Sequence, residues 1–343
     1  MTVGDGVPFL GHESAISIAK QATNTTFVTS GAFIEFNSES FTQNREEIKL
    51  TSINSTRDIK KRLIGNEALE MSIESDLDLA SDGLINILKQ AMGGTVSSAI
   101  GSTGVYTHTF NTGDMENNAA SAGASDMKSL SIGIRKGSTN TWEVAGCRVN
   151  SLNIKGEIGS PVVLSAELIA NSVTAATSIG AAAVSISQVL PVNFTGVTIK
   201  TGDSITNLGA ECFTSFEFAL SNGLDGDQRK LGTRNVAQIP PGMRELTCNL
   251  AQRFDTMTAI NRYLQNTLTA IEITLDNEQT IASNSPLTYQ AIIKLPEAYW
   301  NTTQPEVGGP ETLAHETEVT ALYNASAAYS VQMTVRNGTA AYD

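Results

Sequence analysis

The sequence predicts a mainly β protein made of two tandem antiparallel β-sandwich units, each with one short α-helix. Three observations predict it. Apolar residues recur at every second position through most of the chain, two segments of helical period each follow such a run, and a weak repeat links the two halves. At 343 residues the chain is long for one domain and suits two of about 150 residues.

The strands come first. Leu69, Met71 and Ile73 alternate with Glu70, Ser72 and Glu74, and Leu130, Ile132 and Ile134 with Ser131, Gly133 and Arg135. Phe216, Phe218 and Leu220 keep the period, as do Leu246, Cys248 and Leu250. So do Ile271, Ile273 and Leu275, and finally Val331, Met333 and Val335. Such alternation places one row of side chains on a core and the other in solvent or an interface. Turn signals at Asn222-Gly223, Asp225-Gly226 and Asn337-Gly338 lie between or after the runs. Further strands are expected at Glu143–Lys155 and Val162–Ala170, and at Thr288–Leu295, Glu316–Tyr323 and Tyr329–Arg336.

Two segments break the pattern. Between Ser81 and Gly93, Leu84, Ile85, Ile87, Leu88, Ala91 and Met92 recur at helical spacing. Ser81 or Asp82 can cap the start and Gly93-Gly94 ends it. From Thr256 to Thr267, Met257, Ile260 and Leu264 mark a second, weaker helix. Sliding the chain by 177 residues then places Arg57 on Arg234, Gly65 on Gly242, Leu69 on Leu246 and Asp78 on Asp255. The shared order of extended loop, Gly, alternating strand, Asp and helix indicates a duplication. The expected division is residues 1–170, an Ala/Ser/Thr-rich linker at 171–190, and residues 191–343.

Charge narrows the function. Acids outnumber bases, 35 to 22, for a net charge of −13. A protein that grips nucleic acid by neutralising phosphates would have the opposite balance, whereas one that surrounds nucleic acid without binding it need not. Residues 168–199 carry no charge, but Thr174, Thr177, Ser178, Ser185, Ser187 and Gln188 interrupt the apolar part and its remainder is mostly Ala. A linker and short strand fit better than a membrane span, so no membrane partner is expected. The opening MTVGDGVPFL lacks a basic region followed by an apolar core, so no secretory signal is read.

No catalytic constellation emerges, and neither a cofactor nor a metal is expected. Cys147, Cys212 and Cys248 cannot make a disulfide framework, and His12, His108 and His315 form no ligand-spaced pair. Asp76 and Asp78 could share a face as an acid–base pair, but no nucleophile or third acid accompanies them. A strand-end turn or helix cap explains them more simply. Asp225-Gly-Asp-Gln lacks the later ligands of a calcium loop and reads as a turn. His108, in Tyr-Thr-His-Thr-Phe, is expected on a strand surface.

Three stretches carry a resemblance: Ser129-Leu-Ser-Ile-Gly-Ile-Arg-Lys, Val144-Ala-Gly-Cys-Arg-Val-Asn-Ser-Leu-Asn-Ile, and Ser160-Pro-Val-Val-Leu-Ser-Ala-Glu-Leu. Together with the closing strands they resemble the tail tube proteins of long-tailed bacteriophages. The resemblance implies a structural virion protein, not an enzyme, made in the host cytoplasm and located in the tail. It would form rings that stack around the tape measure protein, meet tail terminator and distal tail or baseplate proteins at the tube ends, and later pass double-stranded DNA without specific binding. Most such rings have six single-unit subunits, so a duplicated subunit implies three chains with pseudo-sixfold symmetry and −39 per ring, from three copies of −13.

In the family one sheet of each unit lines the lumen. Twenty-four strands tilted about 40° would give a backbone diameter of roughly 48 Å and a bore of roughly 38 Å, against about 20 Å for duplex DNA. Glu70 and Glu74 are candidates for a lumen face. A long hairpin or loop in the family reaches the adjacent ring, which makes Arg45, Glu46, Glu47, Lys49, Arg57 and Asp58 candidates for inter-ring contact. Arg229, Lys230 and Arg234 are their counterparts in the second half. Complementary charges at such a place would fix register between rings. Rival readings are another self-assembling virion or surface-layer protein, such as a sheath or decoration protein, and a carbohydrate-binding β-sandwich. The last needs exposed aromatics, and aromatics are only 6% of the chain.

Overall fold

The computed structural model describes residues 11–21, 26–51, 58–59, 61–93, 96–100, 104–112, 129–137, 140–176, 179, 187–282, 286–302, 304–305, 307, 309–310, 312–340 and 342. Strand dominates. The first half contains β1 (Ala15–Lys20), β2 (Ala32–Ile34), β3 (Ser38–Lys49), β4 (Arg62–Asp76), α1 (Asp82–Met92), β5 (Val96–Ala99), β6 (Tyr106–Asn111), β7 (Leu130–Lys136), β8 (Asn140–Glu157), β9 (Val163–Ala170) and β10 (Ser172–Ala176). The second contains β11 (Val197–Ser204), β12 (Asn207–Glu211), β13 (Ser215–Ser221), β14 (Glu245–Arg253), α2 (Thr258–Leu264), β15 (Thr269–Thr280), β16 (Thr288–Thr302), β17 (Ala314–Ala321) and β18 (Gln332–Asn337).

Strand pairing repeats between the halves. In the first, β1 pairs with β2 and β7, β7 with β8, β8 with β9 and β10, and β4 with β3 and β9. In the second, β11 pairs with β12 and β15, β15 with β16, β16 with β17 and β18, and β14 with β13 and β17. Every pair of the first list has its counterpart in the second, all antiparallel. Even register is kept: Phe41 lies opposite Met71 and Phe218 opposite Cys248, each shifted by 177 residues.

Each unit is a sandwich whose two sheets share one long strand. The N-terminal part of β8 pairs with β7 and β10, and its C-terminal part with β9. The strand crosses between layers at Gly146, whose φ of 72° suits glycine. In β16 the crossing falls at Pro296, where the register with β15 shifts between Thr269 and Ile271 as that of β7 with β8 shifts between Leu130 and Ile132. Proline is tolerated there because a bulge leaves a ladder position unpaired.

The alternating rows predicted from sequence form the core. Ile16, Ile18, Leu69, Ile73, Ile132, Val149 and Leu164 bury in the first unit, and Phe218, Leu250, Ile271, Ile293, Trp300 and Met333 in the second. Each such side chain contributes about 1.5–3 kcal/mol by leaving water. Helix α1 buries Leu84, Ile85, Ile87, Leu88, Ala91 and Met92 against the first unit, and Gln90 Oε1 accepts from the Val149 amide at 2.6 Å. Its start is not capped as expected. Ser81 stands at the cap position without a side-chain bond, while Asp78 accepts from the Ala80 amide and Asp82 is committed elsewhere. Among the described residues, no helix is long and apolar enough to cross a membrane.

The Ala/Ser/Thr-rich stretch, expected as a linker with a short strand, opens with β10, which pairs with β8 and so extends the first unit. Between α1 and β7 lies an insertion, β5 and β6, and β6 pairs with β18 of the second unit. The insertion also corrects the reading of His108. That residue is fully buried, its Nε2 3.1 Å from Asn337 Oδ1 and 2.9 Å from the Thr339 oxygen. It shares a face with buried Phe110, two residues on, and that signal was present in the sequence. Asn337 donates to Tyr342 Oη, which donates to Asp82 of α1 at 2.7 Å. The chain's last described residue is thereby tied to its first helix.

Candidate assembly and lumen surfaces

The inner sheets of the two units are continuous. β13 pairs with the C-terminal part of β8 over seven residues, from Ser215 opposite Glu157 to Ser221 opposite Ser151. This joins the units into one wall of eight strands in the order β3, β4, β9, β8, β13, β14, β17, β16. The wall's core face carries Met71, Leu168, Ile154, Phe218, Cys248 and Val319, all buried.

Its other face is polar and acidic. Registers place Glu70 and Glu74 on it from β4, Glu167 from β9, Glu217 from β13, Glu245 from β14, and Glu316 and Glu318 from β17. The bases there are Lys155, Arg148 on the rung of Glu70 and Ile169 but buried under the 222–244 segment, and, at one end, Arg253. Glu70 and Glu74 are exposed. Neutral groups hold several of these carboxylates: Ser151 donates to Glu167 at 2.8 Å and Asn153 to Glu217 at 2.5 Å. An amide or hydroxyl orients a carboxylate without cancelling its charge, so the face stays negative. Two shallow depressions lie on it. One is lined by Glu74, Asn153, Glu167 and Glu245, the other by Lys155, Glu217, Glu316 and Glu318.

Both lateral edges are strand edges. Among the described residues, β3 pairs with β4 alone, and Tyr299–Thr302 of β16 pairs with β17 alone. Beyond Asn44 the β3–β4 hairpin leaves the body as an arm. Arg45, Glu46, Glu47 and Lys49 are all exposed, and Ile48, Ile59, Leu63 and Ile64 are 43–57% exposed. Arg45 pairs with Glu67 at 3.2 Å and Arg62 with Glu47 at 3.6 Å. Asp58 is exposed, and Arg57 lies outside the described residues. The segment expected as a long hairpin or loop is a hairpin, and neither face of its outer part is buried against the core.

The counterpart of the arm, residues 222–244, folds back onto the first unit. Leu224, Val236 and Ile239 bury with Ile169 of β9. Arg148 donates to the Ile239 oxygen at 2.6 Å, Asn171 to that of Val236 at 3.1 Å, and the Glu67 amide to that of Arg234 at 3.1 Å. Arg229 donates to the Glu67 oxygen at 2.8 Å and pairs with Asp227 at 3.6 Å, so this predicted contact residue is engaged within the chain. Lys230 and the Arg234 residue are exposed. Asp225 accepts from the Asp227 amide at 2.9 Å, as a turn requires. Burial pushes the Arg244 guanidinium down to about 10. It donates to Asn222 Oδ1 at 3.1 Å and to the Thr112 oxygen at 2.6 Å, bridging both units.

Chemistry is sparse elsewhere. No group of three or more His, Cys, Asp or Glu that could hold a metal occurs among the described residues. Cys147 and Cys248 are buried, and desolvation raises both thiols, that of Cys248 to about 12, which makes them poor nucleophiles.

A duplicated antiparallel sandwich, with one acidic sheet face and two lateral edges unpaired among the described residues, defines the fold. Comparison with family models assigns it. Residues 11–329 match the family described as phage tail tube protein, and the chain belongs to that family. It is therefore a structural component of a phage tail. No curated protein matches it.

Proposed function

We propose that the chain self-assembles into rings of three copies with pseudo-sixfold symmetry, and that the rings stack into the hollow tube through which the genome leaves the virion. The observation that carries this reading is the eight-stranded wall, closed within the chain by β8 and β13 and open at both ends. Each half, residues up to 176 and from about 191 onward, supplies four strands to the wall, so each acts as one sixth of a ring. The acidic face, with Glu70 and Glu74, lines the lumen and repels phosphate. Duplex DNA then slides without counterion-releasing contacts.

Arms project along the tube axis in this reading. Arg45, Glu46, Glu47, Lys49 and Asp58 of the arm, with exposed Lys230 and Arg234 of the folded-back segment, meet the adjacent ring. Five residues of β3 past Asn44 reach about 17 Å, enough to cross a ring boundary. The tape measure protein occupies the lumen before DNA, and terminator and baseplate proteins close the ends. Negative-stain electron microscopy of the purified chain tests the proposal: hollow tubes or rings are expected, and monomers at every concentration and salt would overturn it.

A further inference from the structure

The joint inside the chain measures how the wall must continue outside it. Along one rung, Ser40 of β3 lies opposite Ser72, Ser72 opposite Glu167, Glu167 opposite Ser151, and Ser151 opposite Ser221 of β13. The counterpart of Ser40 in the second unit is Glu217, 177 residues on. Ser221 stands four residues past Glu217, so each four-strand unit advances the register by four residues. The same walk through the second unit runs Glu217, Asn249, Glu318, Asn301, and stops at the outer edge of β16.

We propose that this rung continues into β3 of a second copy with the same stagger, so that Asn301 lies opposite Asn44 and Thr302 opposite Gln43. The inference rests on the tube reading and names its lateral joint. Two observations besides the repeat support it. The edge from Ser38 to Asn44 carries one charge, Glu39, and no proline, so it lacks the usual guards of an edge strand that stays unpaired. Phe218 is fully buried with β8 beside its strand, whereas its counterpart Phe41 remains half-buried on an uncovered strand.

The stagger fixes the barrel. A shift of four residues over four strands gives a tilt whose tangent is the ratio of residue rise to strand spacing, or about 35°. Three copies then give a backbone diameter of about 45 Å and a bore of about 35 Å once side chains are placed. Two copies would leave about 20 Å, too narrow for hydrated duplex. The joint within the chain carries a strap that the joint between copies lacks. β6 straps the first unit to β18 of the second, while the link from α2 to β15 spans only residues 265–268 and supplies no such strap.

Mixed-chain cross-linking tests the register. Chains carrying Asn44→Cys are mixed with chains carrying Asn301→Cys, both also carrying Cys212→Ser so that only buried Cys147 and Cys248 remain. Tubes are assembled under reducing conditions and then oxidised. The expected result is a disulfide-linked dimer, formed about tenfold better than from Asn44→Cys with Tyr299→Cys, two residues out of register. Equal or reversed yields in intact tubes overturn the register and leave the tube reading standing. Failure of the unmodified chain to form tubes overturns the tube reading instead. If the cysteine variants do not assemble, strand tilt in electron cryomicrographs of unmodified tubes decides: about 35° supports the register, and below about 25° or above about 45° overturns it.

Discussion

Asn222 of the second unit donates its side-chain amide to the main-chain oxygens of Ala91 and Val149 in the first, at 3.1 and 3.0 Å. The Ala91 oxygen belongs to the last turn of α1, where helix carbonyls have no partner of their own. One side chain therefore terminates a helix and locks two units together. Asn222→Ala strands two buried acceptors and removes the acceptor for Arg244. A loss of about 2–4 kcal/mol is expected, read as a lower denaturant midpoint.

His108 makes stability depend on pH. Burial lowers its pKa below the ordinary 6.5, against the hydrogen bonds it donates to the Asn337 and Thr339 oxygens, which raise it. The unfolded chain then binds the proton more readily than the folded one. Stability is full above about 6.5 and falls as pH drops from there through the lowered value. Melting temperature measured between pH 7.5 and 5 should decline, and His108→Gln should flatten that decline. An unchanged slope in the variant would assign it to other groups.

Phe218 and Phe41 occupy equivalent positions in different surroundings. Phe218→Ala opens a cavity under a covered strand and should cost about 3–5 kcal/mol in the isolated chain. Phe41→Ala should cost clearly less there, yet raise the protein concentration at which tubes form. Paired unfolding and sedimentation measurements separate the two effects.

The acidic wall predicts a gain of unwanted function. Glu70→Lys with Glu74→Lys should give tubes that retain duplex DNA at low salt and release it as salt rises. Unmodified tubes should retain little. Co-sedimentation with DNA at several salt concentrations provides the readout.

The strands that face a core were legible because the pleat imposes a period of two on any half-buried strand, as at Leu69 to Ile73. The duplication was visible wherever both copies meet the same core. The rest obeyed other constraints. β3, which begins Ser-Glu-Ser-Phe-Thr-Gln-Asn, has little apolar alternation because it is an edge strand of which Phe41 packs only partly against the core. The segment at 222–244 uses Leu224, Val236 and Ile239 at irregular spacing, since a folded-back loop has no period. β10 is Ala- and Thr-rich on a lightly covered edge. The position of Glu70 on a strand face could be read, but the charge of that face depends on registers between distant strands.

The pairing of β8 with β13 has a kinetic meaning for the proposed ring. Half of its six lateral joints form while each polypeptide folds and owe nothing to encounter between molecules. Closure then needs three bodies to meet instead of six, so ring formation should vary with a lower power of subunit concentration than it would for an unfused ancestor.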